Sequence, residues 1–176
     1  EQIVARVGRV AILVNAAGMM PEGGVESADA ALWRRVMEVN FLGCLQFSQA
    51  AIGPMRAQGG GDIINISSTS GRRVASVFGI YSTSKFALNA MSESLRQEVG
   101  GHGIRVCVIE PGATGTELWE GVADPELRKA VQQRAQREGA MKPEDIADAI
   151  AFVVTAPPRV NVSEMLIRPT SDIAPL

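Results

Sequence analysis

The chain is 176 residues long, a length for one domain, and 46% of it is apolar against 20% charged, which excludes wholesale disorder. Seventeen basic residues face nineteen acidic ones, a net charge of −2, so there is no basic surplus to neutralise a phosphate backbone and no nucleic-acid partner is expected. Two cysteines, Cys44 and Cys107, lie inside apolar runs and argue against a disulfide scaffold or a metal site, while the single histidine, His102, sits among glycines and reads as an exposed turn residue.

Residues 10–14 form a continuous, β-branched run bounded by Gly8 and Asn15, which predicts a strand buried on both faces of a parallel sheet. Ser27 or Asp29 can cap the helix that follows. Its apolar stripe is Leu32, Trp33, Val36, Met37, Val39 and Phe41, continuing through Leu42, Leu45, Phe47 and Ala51 until the glycines at 59–61. Residues 62–67 predict a second strand. A Ser/Gly-rich loop then leads to a helix over 81–99, with Phe86, Leu88, Met91 and Leu95 on one face. A third strand covers 104–109 and is cut off by Pro111-Gly112. A polar surface helix is predicted over 125–138. Pro143, Glu144 and Asp145 then open another helix, which runs to the prolines at 157 and 158, and residues 165–167 make a last short strand.

The order β-α-α-β-α-β-α-α-β is that of an α/β domain with a mostly parallel sheet. No apolar run approaches the ~18 residues of a membrane span, and the first seven residues lack the pattern of an export signal. A cytoplasmic protein without a membrane partner is expected.

Ligands of such sheets bind beyond the carboxyl ends of the strands. Asn15-Ala16-Ala17-Gly18 follows the first strand, Ser67-Ser68 the second, and Pro111-Gly112-Ala113-Thr114-Gly115-Thr116 the third. Tyr81 and Lys85 are four apart on one helix face, where an ammonium beside a phenol would lower the phenol's pKa towards neutrality. Taken singly, each of these signals also fits a surface pair, a loop or a turn.

In their order and spacing the motifs resemble the short-chain dehydrogenase/reductase family of the single-domain kind. The matching pieces are Asn15-Ala16-Ala17-Gly18, Asn40, Ile66-Ser67-Ser68, Tyr81 through Lys85, and Pro111-Gly112 with Thr116. The resemblance implies a Rossmann-like, doubly wound parallel sheet. It implies Tyr81 as general acid in carbonyl reduction and base in alcohol oxidation, with Lys85 lowering its pKa and holding the nicotinamide ribose. Ser68 would hold the substrate oxygen, and Asn40 would anchor a water feeding protons towards Lys85. Asn15, Ala16 and Gly18 would lie on the adenosine side of NAD or NADP. Pro111, Gly112, Thr114 and Thr116 would border the nicotinamide. Val74, Phe78 and Trp119 are candidate walls of the substrate pocket, and residues 117–139 a mobile lid. The C-terminal stretch resembles a branch with NADP-dependent 3-hydroxy-acid dehydrogenases and aldehyde reductases, which tilts the cofactor towards NADP. A homo-oligomer, dimer or tetramer, is also expected.

One part of the family pattern is not matched. The family opens with a strand, a glycine-rich turn and a helix that cradles the pyrophosphate. This chain would instead begin within the family's third helix and enter the sheet at its fourth strand, as an N-terminally truncated domain carrying the C-terminal catalytic portion. A non-catalytic remnant serving as scaffold, or a related epimerase or dehydratase, are the alternative functions.

Overall fold

A computed structural model describes residues 5, 6, 8–137 and 139–176. The expectations for the first residues of the chain, and for a helix ending at Glu138, concern residues outside this set. Four parallel strands form one sheet in the order β1-β2-β3-β4: β1 (Ile12–Asn15), β2 (Gly61–Ile66), β3 (Ile104–Pro111) and β4 (Glu164–Ile167). Strand registers pair Asn15 with Asn65, Ile66 with Ile109 and Pro111 with Ile167, so all four strands end on the same side. Five helices connect them: α1 (Ala30–Met37), α2 (Gly43–Ala57), α3 (Gly79–Val99), α4 (Pro125–Arg137) and α5 (Pro143–Thr155). The predicted order of elements is the observed one.

Each helix begins where a local device favours it. The Asp29 carboxylate accepts the Ala31 N–H at 2.8 Å and so occupies one of the orphan donors at the start of α1. In α5, Pro143 supplies a fixed φ where no N–H is needed, and the Asp145 carboxylate accepts the Lys142 N–H at 2.7 Å. Between α1 and α2 the backbone widens into a single π turn, Glu38–Leu42. The extra residue breaks the 3.6-residue period, so the apolar stripe that runs on from Leu32 to Ala51 is carried by two helices joined through the turn that holds Asn40.

Alternate residues of the central strands feed two cores. On one face, Ile63, Ile104 and Val106 pack with Ala51 and Met55 of α2 and Leu95 and Val99 of α3. On the other, Ile64, Cys107 and Ile109 pack with Met141 and with Ile146 and Val153 of α5. Strands β2 and β3 are therefore buried on both sides, which explains the apolar runs Ile63-Ile64 and Val106 to Ile109 at their centres. Strand β1 corrects the expectation of a strand buried on both faces. Leu13 packs against the first core, but Ile12 and Val14 are 47% and 40% exposed. They point to the face covered by α5, and that helix lies over the other strands without reaching β1. Burial on both faces depends on a neighbour's presence, which an apolar run does not guarantee.

Candidate active site

The carboxyl ends of β2 and β3 lie side by side, held by the Ser67 N–H donating to the Ile109 carbonyl at 2.7 Å. Strand β2 leads directly into Ser67 and Ser68. The Ser68 hydroxyl accepts the Ser70 N–H at 3.0 Å and thereby starts a one-turn 3-10 helix, Thr69–Gly71. Tyr81 and Lys85 stand in the first two turns of α3, one turn apart, and both are buried. The Tyr81 phenol is hydrogen-bonded to Ser68. The Lys85 Nζ donates to the Ile66 carbonyl at 2.8 Å and lies 5.6 Å from the centre of the Tyr81 ring. Asn40 comes in from the π turn, fully buried. Its carboxamide clasps the Met19 backbone, accepting the N–H and donating to the C=O at 2.9 Å each, and donates to Ser84 at 3.0 Å. A Cβ on Gly18 would lie 3.6 Å from Asn40 Oδ1 and 3.9 Å from Lys85 Nζ, so this glycine rests on both groups. Asn40, Gly18, Ser68, Tyr81 and Lys85 thus form one contiguous site.

The electrostatics correct one expectation. Burial pushes the Tyr81 phenol above its ordinary pKa, and the bond to Ser68 pulls only partly the other way. Burial also pulls Lys85 down to about 8. The ammonium is bonded to a carbonyl of β2 and sits over the ring, not at the hydroxyl, so desolvation outweighs the charge coupling that the Tyr-x-x-x-Lys spacing implies. Cys44, one helical turn beyond Asn40, is also raised by burial, against the pull of Lys85, and remains a thiol.

The other predicted residues lie around this centre in different states. The Asn15 side chain turns inward, donating to Ser48 at 3.2 Å and to Asn65 at 2.8 Å, so only its backbone is free to meet a ligand. Ala16 is exposed at the same strand end. Pro111 and Gly112 continue β3, and the Thr114 hydroxyl donates back to the Gly112 carbonyl at 3.1 Å. Thr116 is exposed and caps a 3-10 turn, Glu117–Gly121. Val74 is 67% exposed, whereas Phe78 and Trp119 are half-buried.

Sequence reasoning passed over a loop that ties the walls together. Residues 19–24, following Gly18, exchange backbone bonds with Val77 and Ile80 on one side. On the other, the Glu22 carboxylate accepts the N–H groups of Ala123 and Asp124 at 2.8 and 3.0 Å, just ahead of α4. Desolvation opposes the charge on Glu22, but bonds from its own backbone and from those two amides prevail and hold its pKa below the ordinary value. The buried Glu110, with Arg72 and Asn89, was missed as well; its partners lie 38 and 21 residues away in sequence, so no local spacing marks it. Among the described residues no cluster of His, Cys, Asp and Glu is arranged to hold a metal ion, and no helix is long and apolar enough to cross a membrane.

Known proteins resemble this chain in sequence and fold. A family model described as short chain dehydrogenase matches residues 1–127. An uncharacterized oxidoreductase of Staphylococcus saprophyticus is 35% identical over 167 residues, covering 94% of this chain and 67% of that protein. Among solved structures, a metagenomic short-chain oxidoreductase in complex with NADP aligns with a TM-score of 0.77 and 29% identity, over 96% of this chain and 66% of its own. The closed form of a serine dehydrogenase complexed with NADP+ aligns with a TM-score of 0.84 and 28% identity, over 94% and 69%. The chain spans about two thirds of the length of these relatives.

Proposed function

The chain belongs to the short-chain dehydrogenase family, and on that premise we propose that it carries the proton-handling part of an NADP- or NAD-dependent oxidoreductase acting on a carbonyl/alcohol pair. NADP is the favoured cofactor, in keeping with the two NADP-bound relatives. The observation that carries the reading is the buried, hydrogen-bonded group of Ser68, Tyr81, Lys85 and Asn40 at the carboxyl end of β2.

When bound, the nicotinamide group supplies or accepts the hydride; the chain handles the proton. In reduction Ser68 holds the substrate oxygen and Tyr81 delivers its proton to it. A phenol raised by burial suits this direction, because the protonated form is the donor and stays populated throughout the physiological range. In oxidation the same hydroxyl must first lose its proton. Lys85, with its own pKa brought down to about 8, is the adjacent group able to exchange one near neutral pH. Asn40 acts by holding the Met19 backbone and Ser84, which fixes the floor beneath Lys85.

The residues present fit one end of a nicotinamide dinucleotide. Gly18 places no side chain against the Lys85 ammonium, and Lys85 would hold the ribose. Pro111, Gly112, Thr114 and Thr116 would border the nicotinamide, and Ala16, Gly18 and the Asn15 backbone the adenosine side. Among the described residues no strand passes through a glycine-rich turn into a helix N-terminus, the usual pyrophosphate seat. Phe78 and Trp119 would wall the substrate, with residues 117–137 and Gly139 as a lid latched by Glu22 and Val74 at its open rim. Self-association through the helical face is part of the same reading: Phe47 of α2 and Phe86 of α3 are 60% and 43% exposed.

The test replaces Tyr81 by Phe in a chimera with a glycine-rich dinucleotide-binding half joined ahead of β1. Carbonyl reduction should fall by about 10²–10⁴-fold while cofactor binding persists, since only the titrating hydroxyl is removed. Retention of most activity would place the proton donor elsewhere.

A further inference from the structure

Glu110 is fully buried, one residue before the end of β3, yet it carries a carboxyl group where its strand neighbours are apolar. Its Oε1 accepts from Arg72 Nε at 2.7 Å and from Asn89 Nδ2 at 2.6 Å. Asn89, on α3, also donates to the Gly71 carbonyl at 3.2 Å, and Arg72 reaches onward to pair with Glu164 on β4. These two ion pairs keep the guanidinium firmly protonated. The other oxygen of Glu110 and the amide oxygen of Asn89 have no protein partner.

The residues gripped by this cluster are those of the Ser68 turn. Gly71 donates its N–H to the Ser68 carbonyl at 2.8 Å, and Arg72 donates its own to the Thr69 carbonyl at 3.0 Å. The turn is also pressed tightly against the cluster. A Cβ on Gly71 would come within 2.7 Å of Asn89 Nδ2 and 3.0 Å of Ser67 Oγ, so any side chain there would have to push the Asn89 amide aside. A buried ionic cluster is weak evidence of stabilisation, since an apolar residue of similar volume often packs as well. What it does supply is direction: a charged, geometrically demanding tie between the strand that leads to Pro111-Gly112 and the turn that presents Ser68.

We propose that Glu110, acting through Asn89 and Arg72, is a positioning residue that sets the Ser68 hydroxyl against Tyr81. The proposal rests on the oxidoreductase reading for its purpose, but its geometry is testable without it.

Tyr81 is the only tyrosine in the chain, so a carbon-13 label at tyrosine Cζ reports its ionisation alone. Because the bond from Ser68 favours the phenolate, Ser68→Ala moves the Tyr81 titration to higher pH. Glu110→Leu moves it in the same direction, Glu110→Gln largely restores the original curve by keeping an acceptor for Arg72 and Asn89, and Glu110→Leu adds nothing in a Ser68→Ala background. Should Glu110→Leu fail to fold, Asn89→Ala cuts the same tie at Gly71 and is held to the same pattern. A titration left where the unsubstituted chain has it, or shifted equally with and without the Ser68 hydroxyl, overturns the proposal. No cofactor or substrate enters the measurement. A chimera without turnover would therefore count against the proposed function and leave this comparison standing.

Discussion

Strands β1 and β3 are alike in sequence and opposite in circumstance. Both are parallel strands built on an apolar run, and both deliver polar residues at their carboxyl ends. Strand β3 has a neighbour on each edge and helices on both faces, and six of its eight residues are buried. Among the described residues strand β1 pairs on one edge only, and two of its four side chains face solvent. The difference divides the molecule. Around β2 and β3 the polar groups are desolvated, bonded and fixed, as proton transfer requires. Around β1, where the adenosine and phosphates of a dinucleotide would lie, the surface is open.

The largest effect that probes this contrast comes from one substitution made twice. Ile109→Ala, at a fully buried position of β3, should destabilise the fold by about 2–5 kcal/mol. Ile12→Ala, at a 47% exposed position of β1, should cost less than about 1 kcal/mol. Chemical denaturation of both variants checks it, and equal losses would mean that β1 is covered in solution.

A second expectation follows from the desolvated lysine. Its folded pKa, about 8, lies below the ordinary 10.5, so between those values the unfolded chain binds the extra proton and stability rises with pH. The gain, on the order of 3 kcal/mol at most at about 1.4 kcal/mol per pKa unit, should vanish in Lys85→Met. Above pH 10 the raised Tyr81 reverses the slope, because there the folded state retains the proton. Denaturation midpoints against pH, with and without Lys85, display both limbs.

Glu22 gives a smaller and more local effect. Replacing it with Ala removes the acceptor of two amides and should cost about 1 kcal/mol. Hydrogen exchange should quicken at Ala123 and Asp124, with the amides of β2 and β3 unchanged. Unaltered exchange at those two positions would mean that the latch does not hold in solution.

Much of this was legible in the sequence. Apolar runs and helical stripes located the four strands and five α-helices named above among the described residues, because burial imposes those periods locally. The candidate site was legible only as a set: singly, Ser68, Tyr81 and Lys85 fit a loop or a surface pair, and it is their common order and spacing that carries the resemblance. What escaped depends on neighbours distant in sequence. The open face of β1 is set by the reach of α5, the state of Tyr81 by burial, the aim of Asn40 by one π turn, and the ties of Glu22 and Glu110 by partners up to 102 residues away.

The central proposal is that these residues carry the proton-handling part of the site, while no glycine-rich seat for a dinucleotide's phosphates lies among the described residues. Calorimetric titration of the 176-residue chain with NADPH tests it most directly. No micromolar binding is expected, because the phosphates carry most of the ligand's charge and find no glycine-rich helix N-terminus among the described residues. Micromolar binding by a monodisperse chain would contradict it and would place the phosphate cradle in another segment.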